Sequence, residues 1–389
     1  MLIRTNKVVL KKIFQNIKDK RKLKIIKYNK SFMHKLNVDI NDYIKYNSIK
    51  IFNNHTSLNI IVDDKIDLLD LAKKSIDNNK LSYLVDLKIH DLKELILSSN
   101  KVTEINVLSK VNFTKLEKLI LENNELKSIN ILDKVDFHEL KELNLCKNKL
   151  TDIKILDKVK FKNLESLNLK DNKISDINVF EKVDFKELKE LVLSENAISE
   201  INVFNKSNFK KLEKLYLDYN YINEIPFIDG INFEKLRILN LNQNNISDIK
   251  NLQGIKFLEL EELYISNNKI TNIDALEKMN SKLLKILNLN NNRIKEIRVF
   301  SKVNFINLEK LYLNHNEISD ISVLESINCM EIKELYLSNN KIKDISVIKK
   351  ANCKKLETLI LNYNDINVSF LTIDAINLEK LKNLQIFSK

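Results

Sequence analysis

Apolar and polar residues alternate along this chain in a block that returns every 24 residues. The block, typified by "LEKLYLDYN" at 212–220, starts at Leu92 and begins again at 116, 140, 164, 188, 212, 236, 260, 284, 308, 332 and 356, twelve copies without insertion or deletion. Its L-x-L core alternates with period two, which predicts a short strand. Ile105, Val107, Leu108, Val111, Phe113 and their equivalents follow at spacings near three, which predicts one helical or 3-10 turn on the outer side. Such a unit cannot bury its apolar face alone and does so by stacking on its neighbours, so the twelve strands are expected in one parallel sheet.

Two columns never vary. The fourth residue of every copy is Leu, and the ninth is Asn: Asn100, Asn124, Asn148, Asn172, Asn196, Asn220, Asn244, Asn268, Asn292, Asn316, Asn340 and Asn364. Each coil turns sharply after its strand and leaves backbone groups inside the stack that need partners. An amide side chain donates and accepts at once, so the column is expected to be a structural ladder. Phe113, Phe137, Phe161, Phe185, Phe209, Phe233, Phe257 and Phe305 form a third column, expected to be a buried spine.

With L-x-x-L-x-L-x-x-N-x-I in hand, as in "LKELNLCKNKL" at 140–150, the chain from residue 92 to 389 resembles the leucine-rich repeat family, in its short, internalin-like form. The resemblance implies an α/β solenoid with a curved parallel sheet on the concave side and short helical or 3-10 turns on the convex side. It also implies a protein that grips protein partners with its strand-lined face and catalyses nothing. The boundaries that follow are a basic helical module over 1–67, a capping half-repeat over 68–91, the repeats over 92–379 and a C-terminal edge strand over 380–389.

Charge separates these parts. Residues 1–67 carry a net +9, while the 298 residues from 92 onward carry only +3 of the chain's total of +12. The repeats therefore lack the basic stripe that nucleic-acid binding needs. The face column even leans acidic, with Glu94, Glu142, Glu190, Glu262 and Glu334 against Lys118, Lys214 and Lys310. Acids at Glu104, Asp152, Asp176, Glu200, Glu224, Asp248, Glu296, Asp320 and Asp344 precede the outer turn and suit its dipole, as solvated structural charge.

In the basic module Leu10, Ile13, Phe14 and Ile17 trace one helix face, Ile25, Phe32 and Leu36 suggest a second helix, and 37–46 a third. The spacing in "LKKIFQNIKDKRKLKIIKYNKSFMHKL", Leu10 to Leu36, is similar to the F-box family, which implies docking of those residues onto the adaptor of a cullin-type ubiquitin ligase. Three readings stay open for 1–67: a cap over the first coil, F-box-like docking as a substrate receptor, or contact with RNA or an anionic membrane through its lysines.

Composition removes much other chemistry. The only two glycines, Gly230 and Gly254, cannot build a phosphate-cradling loop or a dinucleotide fingerprint. His34, His55, His90, His138 and His315 show no metal-ligand spacing, so no metal and no cofactor is expected. Three cysteines without a signal-like leader suggest the cytoplasm. Cys329 and Cys353 take the Phe position on adjacent coils, where two buried thiols are expected although a disulfide is geometrically allowed. No run of apolar residues is long enough to span a membrane, and a monomer is expected.

The remaining candidates are aromatic. The residue between the leucines of L-x-L points away from the core. There stand Tyr216, Tyr264, Tyr312 and Tyr336, against Ile96, Ile120, Asn144, Asn168 and Val192 in earlier copies. Tyr219, His315 and Tyr363 sit three residues further on. Tyr combines a large apolar area with a polar tip and little rotamer entropy, so these seven residues are the expected partner-binding patch.

Overall fold

A computed structural model describes residues 59–62, 81, 83–86, 92–226, 233–279, 281–326, 331–351, 353–366 and 380–387. The chain divides into two compact units, Met1–Asn172 and Lys173–Lys389.

In the first unit β1 (Asn59–Val62) runs antiparallel to β2 (Leu92–Ile96), and β3 (Lys118–Ile120), β4 (Glu142–Asn144) and β5 (Ser166–Asn168) follow in parallel, in chain order. Leu81 and Leu84, the latter on the single turn α1 (Tyr83–Asp86), are buried ahead of the first repeat. On the outer side lie the 3-10 turns η1 (Asn106–Lys110), η2 (Asn130–Lys134) and η3 (Lys154–Asp157). The expected helices at 10–17, 25–36 and 37–46, and with them Leu10, Ile13, Phe14, Ile17, Ile25, Phe32 and Leu36, lie outside the described residues. The described part of the expected helical module is a strand, β1, which supplies the hydrogen-bonding edge that β2 would otherwise leave open.

The second unit contains β6 (Glu190–Val192), β7 (Lys214–Tyr216), β8 (Ile238–Asn240), β9 (Glu262–Tyr264) and β10 (Ile286–Asn288). These are followed by β11 (Lys310–Tyr312), β12 (Glu334–Tyr336), β13 (Thr358–Ile360) and β14 (Asn383–Gln385), all parallel. Register is uniform: Leu215 pairs with Leu239, Leu239 with Leu263 and Leu263 with Leu287, each 24 residues on. Its outer side carries η4 (Asn178–Glu181), η5 (Asn202–Asn205), η6 (Lys250–Gly254), η7 (Asp274–Lys278), η8 (Arg298–Ser301), η9 (Ser322–Glu325) and η10 (Ser346–Lys349). Both units are stacks of 24-residue coils with 3-10 turns outside the sheet.

The core of each coil is the repeat read edge-on. Leu212, Leu215, Leu217 and Ile222 are at most 1% exposed, and each buried side chain of this kind stabilises by about 2 kcal/mol. The Phe column is buried from Phe113 to Phe305 with one gap, where Ser281 takes the position and is 1% exposed with no partner for its hydroxyl among the described residues. Cys353 continues the column at 3% exposure and is disulfide-bonded, which corrects the expectation of a thiol there. The reason is spacing: equivalent positions on adjacent coils stand about 5 Å apart, within the Cα separation a disulfide needs. Cys329 lies outside the described residues.

The ninth-position amides all face inward. Asn220 Nδ2 donates to the carbonyls of Leu193 on the preceding coil at 3.0 Å and Leu217 on its own at 3.1 Å, while its Oδ1 accepts the N–H of Ile198 at 3.0 Å. Asn244, Asn268, Asn292, Asn316 and Asn340 repeat this set in the second unit, and Asn124, Asn148 and Asn172 do so in the first. The residue before each of the twelve is left-handed, with φ between 52° and 60° from Ser99 to Tyr363, and none is Gly. That conformation costs roughly 1–2 kcal/mol per residue. It turns the N–H of Tyr219 onto Asn242 O at 3.0 Å and that of Gln243 onto Ser266 O at 2.9 Å, so a coil-to-coil bond offsets the strain.

The acids before the outer turn have a more specific role than solvated charge. Asp152, Asp176, Asp248, Asp320 and Asp344 each accept the backbone N–H two residues on, at 2.8 to 3.0 Å. That bond holds the carboxyls of Asp248, Asp320 and Asp344 below their ordinary value.

A further column was not anticipated. The second position of the repeat alternates in charge: Lys93, Glu117, Lys141 and Glu165 in one unit, and Lys189, Glu213, Arg237, Glu261, Lys285, Glu309, Lys333 and Glu357 in the other. Lys141 meets Glu117 at 2.7 Å, Lys285 meets Glu261 at 2.6 Å, Lys333 meets Glu309 at 2.8 Å and Lys382 meets Glu357 at 2.9 Å. Opposite charges on neighbouring strands attract and like charges repel by a few tenths of a kcal/mol up to about 1 kcal/mol. Alternation is the one arrangement in which every contact along the column is attractive.

Two outcomes follow. Asn220→Ala strands the N–H of Ile198 inside the stack and leaves Leu193 O with Asn196 as its remaining side-chain donor, so it should destabilise by about 1–3 kcal/mol in denaturant unfolding, whereas Asn245→Ala, outside the ladder, should shift the midpoint little. Equal shifts for the two would remove the ladder's structural role. Second, Lys285, opposed by partial burial and helped by Arg237, lowers the Glu261 carboxyl from its ordinary value. A depressed folded pKa contributes stability above the unfolded value of about 4.3 and loses it as pH falls through the folded one. The stability deficit of Glu261→Gln should therefore shrink from about pH 6.5 to about pH 3, and a pH-independent deficit would contradict the pairing.

Candidate functional site

Strand alternation sends the third and fifth positions of each copy to the sheet face. In the second unit the fifth-position row reads Val192, Tyr216, Asn240, Tyr264, Asn288, Tyr312, Tyr336 and Ile360, held in register strand by strand. The third-position row beside it reads Glu190, Lys214, Ile238, Glu262, Ile286, Lys310, Glu334 and Thr358. The first unit has Ile96, Ile120, Asn144 and Asn168 in the fifth position and no aromatic side chain in either row.

The four tyrosines are half-buried, and carboxylates position three of them. Tyr264 donates its hydroxyl to Glu262 Oε2 at 2.7 Å, and Tyr312 and Tyr336 both donate to Glu334 Oε2, at 3.2 and 3.3 Å. The rings of Tyr312 and Tyr336 stack at 4.8 Å with 23° between planes. Burial, then the charge of Glu334, pushes the Tyr312 phenol up to about 12, and burial raises Tyr216, Tyr264 and Tyr336 as well. Burial also raises Glu334, but Lys310 at 2.8 Å and the two phenols outweigh it and leave the carboxyl below its ordinary value. Lys214 pairs with Glu190 at 3.6 Å. On this face the acid excess therefore concentrates on Glu262, whose hydrogen-bond partner is a neutral phenol.

The three outlying residues sit in the left-handed turn position and not on strands. Tyr219 has φ 55° and is 54% exposed, Tyr363 has φ 58° and is 53% exposed, and His315 has φ 55° with Nε2 3.4 Å from Asn339 Nδ2. The turn favours Asn and Gly, so nothing about the backbone asks for an aromatic there.

Beside them the structure adds Tyr221, 61% exposed, and the half-buried Ile238 and Ile286, none of which stood out in the sequence. The available signal was a departure from the repeat: an aromatic in a column of mostly charged residues, and Ile where other copies have charge, Ser or Thr. Asp218 was missed too. It accepts from Ser194 Oγ at 2.6 Å and Asn240 Nδ2 at 3.0 Å, tying three coils together at the rim of the row. Next to it Asn242, Asn290 and Asn314 form a second amide row, accepting the N–H groups of Ser266, Asn314 and Ser338 at 2.6 to 2.8 Å.

Other surfaces offer less. A groove of about 630 Å³ between η6 and η7 is lined by exposed charges of both signs, Asp248, Lys250, Asp274, Glu277 and Lys278 among them. Cys146 is buried and free, and burial pushes its thiol up to about 11, so it is unreactive. Among the described residues no three His, Cys, Asp or Glu side chains converge as a metal site, and no helix is long and apolar enough to cross a membrane.

Known proteins share this architecture. A family model for leucine-rich repeats in two copies matches residues 138–182, 234–278, 258–302, 282–326, 306–350 and 331–372, and a second leucine-rich repeat model matches 186–246. No curated protein matches the chain significantly. Among solved structures, an internalin from Listeria monocytogenes is 23% identical, with 97% of this chain and 93% of that one covered at a TM-score of 0.69. A leucine-rich repeat protein of Leptospira interrogans is 24% identical over 76% of this chain and 84% of that one, at 0.56. A second Listeria internalin, whose functional domain includes a cysteine ladder, is 22% identical over 85% and 66%, at 0.53.

The carboxylate–phenol geometry is testable by titration. Replacing the charge in Glu334→Gln should lower the Tyr312 phenol from about 12, visible as earlier tyrosinate absorbance that disappears in a Tyr312→Phe background. A titration curve unchanged by Glu334→Gln would place that carboxylate away from the tyrosine pair.

Proposed function

The chain belongs to the leucine-rich repeat family, and on that premise we propose that it is a protein-interaction scaffold whose contact surface is the tyrosine face of β7–β12 with its adjoining turns. One observation carries the assignment. Tyr219 and Tyr363 project from left-handed turn positions and remain more than half exposed, next to the row of Tyr216, Tyr264, Tyr312 and Tyr336. β-propensity accounts for tyrosines on strands, but it does not account for tyrosines in a strained turn, and bulky residues in such positions point to a functional demand.

The face suits binding better than chemistry. Tyr264, Tyr312 and Tyr336 are anchored by Glu262 and Glu334, so these three have little rotamer entropy left to lose when a partner covers them. The described histidines lie elsewhere in role: His138 stands near Asp136 and Glu139, and His315 near Asn339, and among the described residues neither meets a hydroxyl or thiol nucleophile. The protein on this reading acts by holding a partner and needs no cofactor.

Tyr264→Ala combined with Tyr312→Ala should weaken a co-purified partner by at least ~2 kcal/mol, about thirtyfold in Kd, with the melting temperature nearly unchanged. Ile96→Ala with Ile120→Ala, on the first unit's face, should have a smaller effect on binding. Unchanged affinity after loss of the two tyrosines would place the interaction surface elsewhere.

A further inference from the structure

Over β7–β11 the face repeats every two coils and not every one. The fifth-position row alternates Tyr216, Asn240, Tyr264, Asn288, Tyr312, and the third-position row alternates Lys214, Ile238, Glu262, Ile286, Lys310. Each tyrosine is thus separated from the next by a strand bearing a short amide. Adjacent strands lie about 4.8 Å apart, so successive tyrosines stand about 9.5 Å apart with a slot between them.

The width of the slot is set by a contact within the same face. Tyr312 and Tyr336, on adjacent strands, stack with ring centres 4.8 Å apart. A flat apolar group above Asn288 would have that spacing to Tyr264 on one side and Tyr312 on the other. The hydroxyls leave this slot open: Tyr264 bonds to Glu262 on its own strand, and Tyr312 bonds to Glu334 on β12, away from Asn288. A second slot lies above Asn240, between Tyr216 and Tyr264. The strand separating the slots carries Glu262, whereas the charges beyond them are already matched, Lys214 to Glu190 and Lys310 to Glu334.

On the reading of this face as the interaction surface, we propose that it docks a proline-rich segment of a partner in polyproline-II conformation. The segment lies across the strands with a proline in each slot, three residues apart, and an arginine or lysine between them on Glu262. Backbone geometry selects the conformation. Polyproline II advances about 3.1 Å per residue with three residues per turn, so residues i and i+3 face the same side about 9.3 Å apart, matching two coils. An extended strand shows one face every second residue, about 6.7 Å, and turns residue i+3 away. An α-helix returns to a face after seven residues, about 10.5 Å, on a body 10–12 Å thick. Aromatic-lined surfaces recognise polyproline II because it is ordered before binding. The chain's net charge of +12 opposes general attraction of a basic peptide, so affinity for one has to come from a local acidic site.

Calorimetric titration of the full chain with the peptide (Pro-Pro-Arg)3 tests this, with (Gly-Ser-Arg)3 and (Pro-Pro-Glu)3 as controls for charge without preorganisation and preorganisation with the wrong charge. Binding should be at least tenfold tighter for (Pro-Pro-Arg)3 than for either control. Asn288→Trp, which fills a slot, should weaken it at least tenfold with an unchanged melting temperature; Asn288→Phe fills the same slot with a smaller ring and serves where the first variant does not fold. Glu262→Gln should weaken (Pro-Pro-Arg)3 severalfold and leave (Pro-Pro-Glu)3 no weaker. Equal binding of the two arginine peptides, or slot-filling variants that bind normally, overturns the proposal. If no peptide binds while Tyr264→Ala with Tyr312→Ala still loses the co-purified partner, the peptide class is wrong and the interaction face stands. If that partner is also retained, both are wrong.

Discussion

A backbone that turns once per coil while remaining inside a stack must find partners for amides and carbonyls that no water can reach. The buried asparagine at the ninth position supplies them. Asn220 satisfies a carbonyl of its own coil, and a carbonyl and an N–H of the coil before, with one side chain. Other features depend on this. The left-handed residue ahead of each asparagine is tolerated because its N–H then reaches the next coil, and the strands need only three residues because the turn, not the strand, carries much of the coil-to-coil bonding. An unmade hydrogen bond at a buried group costs more than a made one contributes, so the ladder protects against a large penalty at every coil.

Once the coils are stacked, neighbours 24 residues apart lie within reach of one another, and side-chain choice becomes a problem of adjacent pairs. The charged second-position column solves it by alternation, so that Glu261 lies between Arg237 and Lys285 and Glu309 beside Lys333. Surface pairs of this kind contribute little one by one. Their stronger effect is on wrong arrangements, because a stack shifted by one coil would bring like charges together along the column. The face follows a two-coil rhythm as well, since a tyrosine on every strand would close the row into a continuous stack of the kind formed by Tyr312 and Tyr336.

The same rhythm bears on the surface proposed for binding. Glu262 and Glu334 hold the phenols of Tyr264, Tyr312 and Tyr336 in place, and partial burial with nearby carboxylates raises Tyr264 and Tyr312, so these side chains stay neutral and fixed across the physiological range. Tyr219 and Tyr363 flank it from exposed left-handed turn positions that favour Asn and Gly, and Tyr221 is exposed beside Tyr219. The first unit, with Ile96, Ile120, Asn144 and Asn168 in the equivalent row, presents the same scaffold without that surface.

The coil is legible in the amino-acid order alone. A 24-residue period with invariant Leu and Asn leaves one register, and that register dictates the parallel strands, the 3-10 turns and the buried Phe column. Local pattern suffices because every coil has nearly the same neighbours. Tertiary structure decided what depends on the identity of those neighbours. It showed that β1 closes the edge of β2, that Cys353 is disulfide-bonded, that Ser281 breaks the Phe column, and that Tyr219, His315 and Tyr363 occupy a left-handed turn. It also gave the second-position charges and the tyrosine slots their meaning, since residues 24 or 48 positions apart become a contact or a gap only when the chain has stacked. A repeat encodes its fold within one period, whereas its surface is encoded between periods, where distance along the chain conceals proximity in space.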